Sequence, residues 1–528
     1  MKLIYSPFLP KSVLPLLLIG SGVLFAAGPA LMGAETPAAE TPAPQKNEEQ
    51  APKAAASAPE IIETQHTITI DGRTIAYTAK AGKIALKDIK GEPTAEIFFI
   101  AYTKDGADPE TRPVTFSFNG GPGSSSVWLH LGILGPRRVL LDDDGFALPP
   151  PHRLVDNEWS LLDETDLVFI DPVSTGYSRA TDPEKAKAFH GLDEDVESVG
   201  EFIRRYTTEY ERWASPKFLI GESYGTTRAA ALSLFLHDRH GLYLNGIMLV
   251  SSVLDFATLR FNEDNDLPFV LFLPSLAATA HYHGQLDKDW QALPVEDVLR
   301  RAEAFATGPY RAALFAGDGL DSATFRSVAG ELSAMTGIDK DTILEYKLRL
   351  DAFAFFRLLL KDEGLQVGRF DGRYTGVAPE KWESGWGPGN YDPSYNQIYG
   401  AYSATLNDYV RRDLKYKSDL PYEILTNVRP WNFSEEFSTR YVNVSSRLRK
   451  ALVMNPHMRV HISSGIYDLA TPYFATEYTL DRIFVHPDLK DNFEVSLYAG
   501  GHMMYSVKAE LAKQKADLAG FIRRSIGQ

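Results

Sequence analysis

Short apolar runs bounded by turn residues recur along the chain and set its rhythm. Residues 64–70 and 73–79 alternate apolar and polar positions on either side of Asp71-Gly72, a two-residue hairpin signal. AEIFFIAY (95–102) and VTFSFN (114–119) predict two further strands. DLVFID (166–171), KFLIG (217–221), GIMLVS (246–251), RVHISS (459–464) and FEVSLY (493–498) are apolar runs of strand length. Runs of that kind suit strands covered on both faces of a parallel sheet. Helical spacing fills 192–213, 226–238 and 508–526. Antiparallel leading strands followed by strand–helix alternation predict an α/β fold, a mostly parallel sheet with helices on both faces.

The rhythm breaks between 254 and 441 and resumes at Arg459. Helix-like segments there are 295–305, 342–361 and 399–414, and 382–402 is rich in Gly and aromatics. The stretch reads as a largely helical cap inserted over the sheet. Its aromatics Trp382, Trp386, Tyr391, Tyr395 and Tyr399 are candidates to line a substrate cleft, although such density more often means packing. The expected division is 1–34 export signal, 35–60 linker, 61–255 first core part, 256–440 cap and 441–528 second core part.

The two leading segments differ in composition from the rest. Residues 1–34 carry Lys2 and Lys11, an apolar run from Val13 to Ala27, and small residues ending at Ala34. That three-part pattern predicts a cleaved secretory signal, hence a periplasmic or extracellular protein with no stable membrane insertion after cleavage. Residues 35–60 are rich in Ala, Pro, Glu and Gln and bury too little apolar surface to order themselves. Over all 528 residues the formal charge is -15 and there is no cysteine. Such a balance argues against a nucleic-acid partner, which needs a basic surface. The lack of cysteine removes disulfides, thiolate metal sites and a cysteine nucleophile.

The chemistry therefore falls to other side chains. Strand 217–220 runs into Gly221-Glu222-Ser223-Tyr224-Gly225, and a helix of small and apolar residues follows. This is the G-x-S-x-G elbow in its strand–turn–helix setting. The sharp turn lifts the Ser223 hydroxyl off the sheet and leaves the Tyr224 N–H at the positive end of a helix. A serine nucleophile needs a base, and the base needs an orienting carboxylate. Asp468 and His502 each follow a late strand, in the expected chain order; Asp481, Asp488 and His486 are poorer rivals. The glycine-rich stretch from Asn119 to Ser126 follows another strand and suits a second oxyanion donor. A phosphate cradle is disfavoured, because the Lys-Ser/Thr of a P-loop is missing. His281-x-His283 and His457-x3-His461 lack a third ligand, so no metal and no cofactor is expected.

NGGPGSSS, DPVSTGYS (171–178), GESYG, GIYDLATP and AGGHMMY, in that order, resemble the serine carboxypeptidases (peptidase family S10), and the chain looks like a bacterial member. The resemblance implies an α/β-hydrolase fold acting on peptide C-termini. It implies Ser223 as nucleophile, Asp468 and His502 as its partners, and the N–H groups of Gly121 and Tyr224 as oxyanion hole. Asn119 and Glu222, with Gly120 beside them, match positions that hold the substrate carboxylate. Three departures stand out: Ile133 replaces a glutamate that pairs with the one matched by Glu222, Ser124 replaces a cysteine, and Ser174 replaces a glycine. Without a second carboxyl to share a proton, a weaker acid preference is expected, or another way of holding the carboxylate. Arg137 and Arg138 are candidates for that charge. A serine esterase or acyltransferase, or a non-catalytic relative, are the alternatives. Oligomeric state is not legible.

Overall fold

The computed structural model describes residues 61–379 and 391–527. The expected export signal and linker, and Trp382 and Trp386, lie outside them. The described residues form one compact unit.

Nine strands of the main sheet matter for function: β1 (Ile62–Ile70), β2 (Arg73–Lys87), β3 (Pro93–Lys104), β4 (Val114–Phe118), β5 (Asp166–Ile170), β6 (Lys217–Glu222), β7 (Gly246–Val250), β8 (Arg459–Gly465) and β9 (Phe493–Tyr498). Their order is β1-β2-β3-β5-β4-β6-β7-β8-β9, with the two-residue strand Arg179–Ala180 beside β3 as a tenth. From β5 to β9 every neighbour pair is parallel, while β1–β2, β2–β3 and β3–β5 are antiparallel. This is the mostly parallel α/β sheet that the apolar runs anticipated, and the α/β-hydrolase arrangement that the family resemblance implied.

The two-residue period of the strands explains why both faces are apolar. Phe98, Ile100 and Tyr102 of β3 join Phe169, Ile220 and Met248 on one face. Ile97, Phe99 and Ala101 join Val168, Leu219 and Ile247 on the other. Helix α1 (Leu192–Glu209) and helix α2 (Tyr224–His240) cover the second face through Val199, Phe202, Leu232 and Leu236. Helix α3 (Lys508–Ser525) covers the first through Leu518, Phe521 and Ile522.

The segment between β7 and β8 packs in two places. Helices Leu267–Tyr282, Val295–Phe305 and Ser322–Thr336 build an apolar cluster of their own, centred on Leu276, Ala302 and Leu332. Helix Pro393–Arg412 instead lays Ile398, Tyr402, Leu406 and Tyr409 on the first face of the sheet.

Two expected helices are shorter than their patterns. The one predicted over 342–361 is broken: Lys347 and Leu348 take positive φ, and Asp351 caps a new helix, Ala352–Leu358. The one predicted over 192–213 ends at Glu209, with Glu211 at positive φ. There the chain turns so that the buried Arg212 reaches Asp166 at 2.6 Å. In both places tertiary contacts outweigh helix propensity.

Candidate active site

The carboxyl ends of β4, β6, β7, β8 and β9 converge on one edge of the sheet, where loops of parallel α/β folds build sites. Ser223 leaves β6 at φ 59° and ψ -129°, outside the regions that side-chain-bearing residues favour. Its N–H donates to the Val250 carbonyl at 3.0 Å, which ties the elbow to the end of β7. The hydroxyl is half-buried and takes no hydrogen bond among the described residues. Glycines let the elbow close. A Cβ at Gly221 would collide with the Gly225 carbonyl, and one at Gly120 would lie 2.7 Å from the Gly225 nitrogen. The loop after β4 therefore rests directly on the elbow. The N–H groups of Gly121 and Tyr224 are unclaimed by any protein acceptor among the described residues.

Asp468 and His502 meet. Asp468 is fully buried after β8; its Oδ1 accepts the N–H groups of Ala470 and Thr471 at 2.8 and 2.9 Å. Its Oδ2 accepts the Thr471 hydroxyl at 2.8 Å and His502 Nδ1 at 2.8 Å. A carboxylate only accepts, so Nδ1 carries the proton and Nε2 keeps its lone pair. Burial pulls the His502 pKa down, but the charge and hydrogen bond of Asp468 outweigh it and leave it above the ordinary histidine value. Ser223 and His502 are not hydrogen-bonded to each other. Such contacts often close only around substrate. Asp481 and Asp488 are exposed, and neither hydrogen-bonds His502.

Several partners of this pair left no sequence signal. The Ser251 hydroxyl donates to the His502 carbonyl at 2.7 Å, and the Phe370 carbonyl accepts the His502 N–H at 2.6 Å. The Phe370 ring lies 5.0 Å from the imidazole. Segment 369–373 is stitched between the two loops: Leu469 N–H donates to Arg369, Gly372 N–H to Tyr467, and the Arg373 guanidinium to Ala499.

Glu222, buried just before Ser223, is held at both oxygens. Asn119 Nδ2 donates to Oε1 at 2.9 Å and the Tyr505 hydroxyl donates to Oε2 at 2.5 Å. Asn119 Oδ1 accepts the Leu129 N–H at 3.1 Å, which fixes the amide the right way round. Burial raises the Glu222 carboxyl to about 7, while the nearby His502 and the Tyr505 and Asn119 donors hold it from rising further. Ile133 lies fully buried in the apolar cluster. The neighbouring Gly132 is what admits Tyr505, because a Cβ there would run into the Tyr505 ring. Arg137 and Arg138 are engaged elsewhere, with Asp156 at 2.8 Å and Glu158 at 3.7 Å.

The remaining expectations find structural places. Ser174 sits at φ 74° and shares a 2.9 Å hydrogen bond with His190. Ser124 accepts from the Trp128 indole at 3.1 Å. His281 and His283 bond the carbonyls of Leu293 and Gly372. Of the aromatics, Tyr395 stacks on Tyr399 and meets Trp128 edge-on at 6.0 Å, so it packs against the helix after the glycine-rich loop.

Residues 77–291, which hold the glycine-rich loop and the elbow, match the serine carboxypeptidases. Over this region the chain is similar to the serine carboxypeptidase family. Serine carboxypeptidase-like 45 of Arabidopsis thaliana is 23% identical over 212 residues, 37% of this chain and 43% of that protein. The pheromone-processing carboxypeptidase KEX1 of Saccharomyces cerevisiae is 33% identical over 156 residues, 27% of this chain and 20% of its own. The chain thus spans less than half the length of the curated relatives it matches. A carboxyl esterase from Bacillus coagulans aligns over 84% of this chain and 98% of its own, with TM-score 0.35 and 12% identity. The serine carboxypeptidase region contributes Asn119, Gly121, Glu222 and Ser223, whereas Asp468 and His502 lie beyond it.

Proposed function

We propose that the protein is an exported serine carboxypeptidase that removes C-terminal residues from peptides through an acyl-enzyme. The observation that carries the reading is Ser223 at a strained elbow inside a serine carboxypeptidase region, on the same sheet edge as a buried 2.8 Å Asp468–His502 pair.

In this reading His502 Nε2 takes the Ser223 proton as the hydroxyl attacks the last peptide carbonyl. The negative oxygen is received by the free N–H groups of Gly121 and Tyr224. The imidazolium gives its proton to the leaving amino acid, and water repeats the cycle on the acyl-enzyme. Asp468 keeps the tautomer and steadies the imidazolium. Asn119 and Glu222 receive the substrate carboxylate, and Glu222 does so best when protonated. Export rests on the Lys2–Ala34 pattern; no helix among the described residues is long and apolar enough to cross a membrane.

One observation favours a second reading, a serine esterase or acyltransferase. Both Glu222 oxygens are already occupied by protein donors, and Ile133 offers no second carboxyl. Comparing a blocked dipeptide acid with its amide separates the two. The first reading expects the acid to be cleaved about tenfold or more faster in kcat/KM. Equal rates would favour the second. Ser223→Ala is expected to abolish both activities and fluorophosphonate labelling; retained hydrolysis would refute both.

A further inference from the structure

Three segments packed around the loops that carry Gly123, Tyr224 and His502 each have an arginine with no carboxylate partner among the described residues. Arg369 precedes Phe370; its guanidinium lies 5.1 Å from that ring, which is itself 5.0 Å from His502. Arg429 follows Val428, whose side chain stands 3.2 Å from where a Gly123 Cβ would lie. Two residues on, Trp431 meets the Tyr224 ring at 5.5 Å, so Arg429 rides on a strip that packs against both the glycine-rich loop and Tyr224. Arg260 lies 5.8 Å over Phe256, and Phe256 meets Phe433 of that same strip at 5.5 Å.

All three are exposed, and no carboxylate among the described residues pairs with any of them. Partial burial of its stem, with the charges of Arg429 and Arg369, lowers the Arg260 pKa, and Tyr441 opposes this. Arg369 also acts on His502. Asp392 accepts the Arg369 backbone N–H at 3.1 Å and forms no ion pair with its guanidinium. Elsewhere in the molecule arginines pair off: Arg349 with Asp266, Arg440 with Glu436, Arg524 with Glu494. In a chain of net charge -15, three exposed arginines with no carboxylate partner among the described residues make a local positive patch that attracts an anion.

We infer that Arg260, Arg369 and Arg429 form a rim that binds a carboxylate on the substrate, so that the enzyme prefers peptides with an acidic side chain next to the bond cleaved. The inference rests on the reading of Ser223 and His502 as the reacting groups, and it goes beyond it, since the α-carboxylate is assigned to Asn119 and Glu222. Guanidinium suits the task because its planar donors match a carboxylate in a two-point grip.

The test uses the full-length enzyme and two pairs of blocked dipeptides, Glu against Gln at the penultimate residue and Glu against Gln at the terminal one. In one pair the Glu peptide is expected to be cleaved about tenfold better in kcat/KM at low salt. That ratio is expected to fall toward one in Arg369→Gln, Arg429→Gln and Arg260→Gln, and in about 0.5 M salt. The ratio within one variant does not depend on how much of the sample is folded. Ratios of one in both pairs, or a preference untouched by the variants, overturn the rim. If no peptide is cleaved while Ser223 still takes a fluorophosphonate, the carboxypeptidase reading fails on its own. The rim is then decided by calorimetric titration with N-acetylglutamate against N-acetylglutamine: tighter binding of the acid, lost in the variants, supports it, and equal binding overturns it.

Discussion

At Glu222 a single hydroxyl governs how one carboxyl behaves. The Tyr505 O–H is aimed at Oε2 from 2.5 Å, in a site where burial holds Glu222 near 7. If Glu222 receives the substrate carboxylate as proposed, it does so when protonated below that pH, whereas above it two anions would face each other. The falling limb of kcat/KM on free-acid peptides is therefore expected near pH 7, and it should be absent on amides or esters. An optimum at about pH 4–5, as two carboxyls sharing a proton give, would contradict this. Tyr505→Phe keeps the ring against Gly132 but deletes a donor to the ionised form. Losing it favours the protonated form, so the falling limb should move to higher pH by about one. The rising limb belongs to His502, whose base form is lost as pH falls through its raised pKa. Asp468→Asn removes the acceptor that fixes the tautomer and is expected to cut kcat by about 10⁴, with KM little changed.

Elements matter here chiefly through glycines that let loops touch. Gly501, just before His502, faces segment 369–373 so closely that a Cβ would collide with the Phe370 carbonyl. That carbonyl is the acceptor for the His502 N–H. Gly501→Ala is thus expected to displace His502 and lower kcat by about 10²-fold, while the fold survives. Circular dichroism and fluorophosphonate labelling rate together would check it; an unchanged labelling rate would show that segment 369–373 does not set the histidine. Gly176 is under the same constraint, packed on the buried Asp171 carboxyl, which caps the chain at the Ser126 N–H at 2.9 Å. Ser174, two residues earlier, bears a positive φ that glycine takes more cheaply, and its bond to His190 offsets part of that cost.

At the scale of the whole molecule, the first strand begins at Ile62. A chain starting at Ala58 is expected to hydrolyse peptides with the kcat/KM of the full chain, and a drop beyond about twofold would assign residues 1–57 a part in catalysis. Stability rests on packing and on buried charge networks, since no disulfide is possible. Arg228 shows how such a network reaches the site. It is buried on α2, pairs with Asp195 of α1 at 2.7 Å and donates to the Asn119 carbonyl at 2.6 Å. Breaking a buried pair leaves an uncompensated charge, so Arg228→Ala should cost about 3–5 kcal/mol in denaturant unfolding and loosen the loop that carries Asn119.

What the chain's own pattern determined was local. The apolar runs became the strands of the sheet because burial on both faces demands an unbroken apolar segment. Ser223, Asp468 and His502 were legible because each follows such a strand, where a loop must emerge. The breaks at Lys347 and Glu211 were not legible, since helical spacing continues through them and only distant contacts end it. Nor were Tyr505, Ser251, Thr471 and Phe370, which are ordinary residues until folding sets them against Glu222 and His502. The three arginines stand 60 or more positions apart along the chain, and no window of sequence joins them. Their meeting, like the Tyr505–Glu222 bond across 283 residues, was decided by the tertiary structure alone, because hydrogen bonds and charges act through space rather than along the chain.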